Sequence, residues 1–169
     1  MKKGLLAVIF ILPMVAIAQK MELEVQGATV DFNFVSDNTA GTLSDVESTI
    51  SLDVADLSNA TITGSVKVST LNTGNKGRDK HLKSGDFFDI EKYPTMSFTS
   101  TSVTEVDGAY QAKGTLTIKG VEKEVTFGII NTGAVLKFKT TIYSADFGIM
   151  DKKKREKTKV TIEVKVPVK

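Results

Sequence analysis

The chain has 169 residues, 22 of them lysine or arginine and 20 aspartate or glutamate, with one histidine and neither cysteine nor tryptophan. That length suits one domain around one sizeable core. The small net charge argues against nucleic acid as a partner, and the lack of cysteine excludes disulfides, thiolate metal sites and cysteine nucleophiles.

Residues 1–18 place Lys2 and Lys3 before an apolar run from Leu5 to Ile17 and a small-x-small ending, Ala16-Ile17-Ala18. This is the pattern of a secretory signal peptide cleaved near Ala18, and it predicts a periplasmic or secreted protein beginning at Gln19. An uncleaved membrane tether is the alternative; no cysteine follows to carry a lipoprotein anchor. Without Lys2 and Lys3 the remaining basic residues balance the 20 acidic ones.

From Val25 onward the hydrophobic pattern has period two, the signature of strands with one buried face. Val30, Phe32 and Phe34 share a face, as do Ile50, Leu52 and Val54, and then Ile62, Val66 and Val68. Gly64 interrupts that last row and marks either a bend in a curved sheet or room for a ligand.

Alternation breaks between Arg78 and Phe98. The loop-like run 72–77 leads to Asp79, which reads as the cap of a helix near residues 79–84, and Gly85 reads as its end. Phe87, Phe88 and Ile90 then gather three large apolar side chains, which need a core or cavity beneath them. Tyr93-Pro94 forces extended backbone, and Met96 and Phe98 resume a strand. Asp107-Gly108, Lys119-Gly120 and Asn131-Thr132-Gly133 read as hairpin turns. Between and after them run Tyr110 to Ile118, Val121 to Ile129, Ala134 to Ile142 and the clearest row of all, Val160, Ile162, Val164, Val166 and Val168. About eight strands joined by short turns predict an all-β, antiparallel up-and-down barrel, whose closure would remove exposed edges.

The stretch Arg78-Asp79-Lys80-His81-Leu82-Lys83-Ser84-Gly85-Asp86-Phe87-Phe88-Asp89, followed by Tyr93-Pro94 and Phe98, closely resembles the signature of the YceI-like family of secreted lipid-binding proteins. Gly114-Thr115-Leu116-Thr117-Ile118-Lys119-Gly120-Val121 and Asp146-Phe147-Gly148-Ile149 resemble two further elements of it, so the likeness covers nearly all of residues 19–169. It implies a lipocalin-like barrel holding an amphiphile: a polyisoprenoid, an isoprenoid quinone or a fatty-acid derivative. Two departures stand out. The family opens its first strand with Asp and His, where this chain has Glu22-Leu23-Glu24-Val25, and carries an arginine shortly before Asp-Phe-Gly, where this chain has Tyr143-Ser144-Ala145. Loss of a buried cation there implies an altered head-group preference or a more apolar pocket.

Little in the chain suits catalysis. His81, the only histidine, cannot build a usual zinc site alone, and no Gly-x-Ser-x-Gly elbow accompanies Ser84, His81 and Asp79 or Asp86. No catalytic residue, metal or cofactor is expected. His81 reads as a helix residue with a structural hydrogen bond or, with Arg78, Lys80 and Lys83, as part of a cationic mouth for a polar head group. The basic run from Lys152 to Lys159 reads as a solvated loop or as a transient contact with anionic lipid head groups.

An eight-stranded barrel can be filled by its own side chains or hold one small ligand. Together with the resemblance, the apolar set supports a cavity. Phe32, Phe34, Met96, Phe98, Phe127 and Phe138 would line it; Phe87 and Phe88 would close an end; Leu116 and Phe147 would form walls; Arg78 and His81 would meet the head. The expected function is an exported, non-enzymatic carrier or sequestering protein for an amphiphilic lipid. The alternatives are a stress-associated structural or protein-interaction module with a solid core, and an enzyme acting on such a lipid. A homodimer is left open.

Overall fold

The computed structural model of the chain describes residues 27–51, 60–150 and 152–168. The predicted leader, the strand start at Val25, and Leu52 and Val54 lie outside these residues. Nine strands form one antiparallel sheet: β1 (Thr29–Phe34), β2 (Thr39–Leu43), β3 (Val46–Ser51), β4 (Thr61–Lys67), β5 (Thr95–Val106), β6 (Ala109–Ile118), β7 (Val121–Asn131), β8 (Val135–Tyr143) and β9 (Lys159–Pro167). Their order across the sheet is β2-β1-β9-β8-β7-β6-β5-β4-β3, so the meander curls round until its last strand pairs with its first.

The two edge strands follow each other in sequence and share no ladder. Eight antiparallel steps separate β3 from β2 across the sheet, an even number, so both run in the same direction. Ser44-Asp45 is therefore a bend within one long strand, whose first half pairs with β1 and whose second half pairs with β4. Leu43 and Val46 both face the interior although they are three positions apart, so the bend carries one residue more than strict alternation allows. Asp45 takes a left-handed conformation (φ 55°) there, as in a β-bulge. Counted this way the barrel has eight walls, left unpaired beside each half of the bent strand. Backbone bonds between Thr42 and Asn72 (2.9 and 3.0 Å) cover part of one unpaired edge.

Turn chemistry follows the sequence. Asp107-Gly108 (φ 52° and 77°) and Lys119-Gly120 (φ 52° and 73°) take the positive angles that two-residue hairpins need to match strand twist. In β5 the register slips between Ser100 and Ser102, and this bulge restores the inward phase at Val103.

The helix, α1, spans Lys76–Lys83 and starts earlier than the sequence suggests. Asn75, not Asp79, is its cap: the Asn75 side chain accepts from the Arg78 amide at 3.0 Å. Asp79 instead turns back to Thr73, accepting from its amide at 2.9 Å and its hydroxyl at 2.6 Å. The helix ends at Ser84 rather than Gly85, through the Ser84 amide and the His81 carbonyl. No residue of α1 is fully buried, which accords with a helix lying across the barrel's end rather than inside it.

Candidate functional site: an apolar cavity beneath the helix

The inward rows of the strands enclose a cavity of about 400 Å³. Phe32 and Phe34 reach it from β1, Met96 and Phe98 from β5, Leu116 from β6, Phe127 from β7 and Phe138 from β8. Phe98 and Phe127 meet edge to face, with ring centroids 4.9 Å apart. The β9 row, Val160 to Val166, forms a further wall, and Ile50 and Ile62 another. Gly64 lines the cavity as well: an added Cβ would make only ordinary contacts, at 3.7 Å from Ser48 and 3.8 Å from the Glu47 carbonyl, so the glycine leaves room rather than relieving a clash.

One end is covered by α1 and the segment after it. Folding that segment back on the helix takes a run of backbone bonds: Phe87 to Ser84 (3.1 Å), Phe88 to Leu82 (3.0 Å), Asp89 to Ser84 (2.8 Å) and Ile90 to Lys83 (3.2 Å). Tyr93 packs so closely on Gly120 that a Cβ there would lie 2.6 Å from the ring, and the Lys119 ammonium reaches the Gly85 carbonyl at 3.5 Å. The plug is thus fixed against the β6–β7 turn. Phe87 and Phe88 line the cavity beneath it, together with Arg78, His81 and Leu82 of the helix.

Polar groups gather at this covered end. Arg78 is held by Thr73, donating from Nε to Oγ1 (2.8 Å) and from a terminal nitrogen to the carbonyl (2.9 Å). His81 stands edge-on to Phe87 at 4.8 Å and lies 3.9 Å from the Asp86 carboxylate. Hydrogen bonds from Thr73 hold the Asp79 carboxyl below the usual carboxylate range, against the effect of burial and assisted by Lys83 and Arg78. The turn after β1 contributes Asp37.

Eleven of the twelve residues proposed from sequence line this one cavity; Phe147 does not. Phe147 is 1% exposed and packs with Ile118, Ile142, Ile149 and Val160, which line the cavity while Phe147 itself does not reach it. The reason lies in the sheet. β7 and β8 pair only between Gly128–Asn131 and Leu136–Lys139 and diverge beyond, and the 3-10 helix Ser144–Phe147 packs Phe147 into the core beside that divergence. Other cavity residues escaped the sequence reading, among them Asp37, Leu43, Ser48, Ser144 and Met150. Leu43 and Ser48 belong to rows whose phase changes at an unrecognised bulge; Ser144 follows Ile142 in phase but carries no hydrophobic signal.

The basic run is also more ordered than a solvated loop. Residues Lys152–Thr158 form a 3-10 helix with a kink at Lys154, and Arg155 lies 3.7 Å above the Tyr143 ring. Among the described residues no group of three or more acidic or histidine side chains could hold a metal ion.

The sequence profile of the YceI-like domain matches residues 20–169. The chain belongs to the YceI-like family. It is 34% identical to Protein YceI of Escherichia coli O157:H7 over 135 residues, 75% of this chain and 71% of that protein. A shorter match, 38% over 85 residues, joins it to a UPF0312 protein of Photorhabdus laumondii, where it spans 50% of this chain and 44% of the relative, less than half of that protein's length. In fold it is similar to Burkholderia cenocepacia BcnA, with a TM-score of 0.77 at 21% identity over 88% of this chain and 100% of that one. It also resembles a polyisoprenoid binding domain from Saccharophagus degradans, with a TM-score of 0.59 at 12% identity over 90% and 98%. These likenesses agree with a curled antiparallel sheet carrying one helix.

Proposed function

We propose that this protein is an exported, non-enzymatic carrier that holds one amphiphilic lipid, its tail in the barrel and its head beneath α1. The observation that carries this reading is the cavity itself: about 400 Å³, within the roughly 300–1,000 Å³ range of small-molecule sites, and walled almost wholly by apolar side chains. Each methylene taken from water into such a space is worth about 0.8 kcal/mol, so a long tail is held without directional contacts. Only the head needs polar partners, and Arg78, His81 and Asp37 stand at the covered end. A polyisoprenoid, an isoprenoid quinone or a fatty-acid derivative has this division into tail and head, and the polyisoprenoid binding domain among the fold neighbours favours the first.

Export rests on the leader-like residues 1–18. A carrier in that compartment must collect its cargo from a bilayer, and the mouth suits such a contact. Lys80 and Lys83 of α1 and the basic run ending at Lys159 lie at the same end as two exposed apolar side chains, Val35 (46% exposed) and Met150 (39% exposed). Cations near an anionic leaflet contribute about 1 kcal/mol each.

Organic extraction and mass spectrometry of protein purified from its native compartment test the reading. A long-chain lipid near one per chain is expected. A clean extract from fully folded protein would remove the carrier and favour an interaction module.

A further inference from the structure

Among the described residues, three buried side-chain polar atoms find no hydrogen-bond partner, and two of them, the hydroxyls of Ser48 and Ser144, belong to residues that line this cavity. Orphaned buried polar groups are rare because each costs the hydrogen bonds it had in water. Two on a single wall-to-wall space point to an occupant that satisfies at least one. Ser144 is the more demanding case, being 2% exposed. It follows Phe138 and Ile142 in the inward phase of β8, and its neighbours have partners that it lacks. The Ala145 amide donates to Thr158 Oγ1 (3.3 Å), and Thr158 Oγ1 donates to the Arg155 carbonyl (2.7 Å).

Topology places Ser144 at the covered end. β8 runs antiparallel to β7, so its end lies level with the β6–β7 turn on which Tyr93 and Gly85 are fixed. Arg78 reaches the same cavity while donating to the Thr73 hydroxyl and carbonyl.

Resting on the carrier reading above, we infer that the Ser144 hydroxyl donates to a carbonyl or carboxylate oxygen on the lipid head, so the site selects oxygen-headed lipids over hydrocarbons of equal length. Ser48, on the β3 half of the bent strand, meets the tail and not the head.

The test is displacement of a fluorescent apolar dye by hexadecanoic acid, by a methyl ketone of equal chain length and by hexadecane, using wild type, S144A, S144T and S48A. S144A should weaken the acid, the ketone or both by about threefold to tenfold, as expected for one hydrogen bond, with hexadecane displacement retained. S144T, which keeps the hydroxyl, should restore the preference. Without lipid, S144A should melt no lower than wild type, because the hydroxyl it removes has no partner to lose. Equal losses for hexadecane, no loss for either oxygen-headed probe, the loss appearing in S48A instead, or a lowered midpoint of lipid-free S144A would each overturn the inference. Failure of every probe to bind wild type would overturn the carrier reading beneath it.

Discussion

Arg155 grips Asp146 with both arms of its guanidinium: Nε donates to Oδ1 at 2.8 Å and a terminal nitrogen donates to Oδ2 at 2.7 Å. The forked geometry of arginine matches a carboxylate in a way a lysine ammonium does not. That hydrogen bond to Asp146, more than any other influence, raises the guanidinium's proton affinity above its ordinary level. The pair ties the basic run to the residue preceding Phe147, beside the end of β8. The cation on Asp146 comes from a later segment of the chain, nine residues on. R155K should lower the melting midpoint and raise amide exchange across residues 144–148, and adding D146N to it should lower the midpoint less than the two single changes summed. Unchanged exchange in R155K would show that the contact constrains nothing.

Acid should loosen the mouth before it unfolds the barrel. The Asp79 carboxyl is held below its ordinary value chiefly by the Thr73 hydroxyl, so its contribution is fully present above the unfolded value of about 3.9 and is lost as pH falls through the lower folded one. The D79N variant should therefore be less stable than wild type at about pH 7, with the gap closing at about pH 2. Denaturant titrations at the two values check this; a gap of constant size would rule out the Thr73 contact as its source.

Gly64 offers a way to fill the cavity from within. Because an added Cβ meets nothing closer than 3.7 Å, G64A should fold normally, whereas G64F should project a ring into the lipid space. Retained or raised thermal stability with at least a tenfold loss of lipid affinity, about 1.4 kcal/mol, is expected for G64F. Binding at wild-type strength would mean that the tail lies elsewhere.

Gly114 is the opposite case. A Cβ there would sit 2.2 Å from the Thr99 carbonyl oxygen and 2.7 Å from the Ser100 Cα, both backbone atoms of the bulged part of β5. Overpacking of this kind costs about 1–3 kcal/mol when the surroundings yield, and backbone yields least. G114A should show a drop of this size in chemical denaturation; a neutral outcome would place the bulge elsewhere.

Strand rhythm and turn chemistry were legible because they are local. The β9 row and the Asp107-Gly108 and Lys119-Gly120 turns carry their whole signal in a few neighbouring residues. The aromatic cavity set was legible for the same reason, since alternation assigns Phe32, Phe98, Phe127 and Phe138 to one face each. What the sequence hid depends on distant partners. Asp79 looked like a cap, yet its carboxylate found better donors in Thr73, and Asn75 took the role. Phe147 looked like a cavity wall, but its place follows from the divergence of β7 and β8, which no local pattern announces. Ser144 carries its information in a bond it does not make, visible only when its surroundings are known.

The bend at Ser44-Asp45 makes one short stretch the phase-setter for the inward row of β3. In a hairpin, a residue gained or lost lengthens a loop and leaves the flanking faces alone. Here a single deletion would turn Val46, Ser48 and Ile50 outward together, because side chains alternate along β3. Length variation is therefore tolerable at the tip around Asp107-Gly108 and forbidden at Ser44-Asp45, although both read as short polar links.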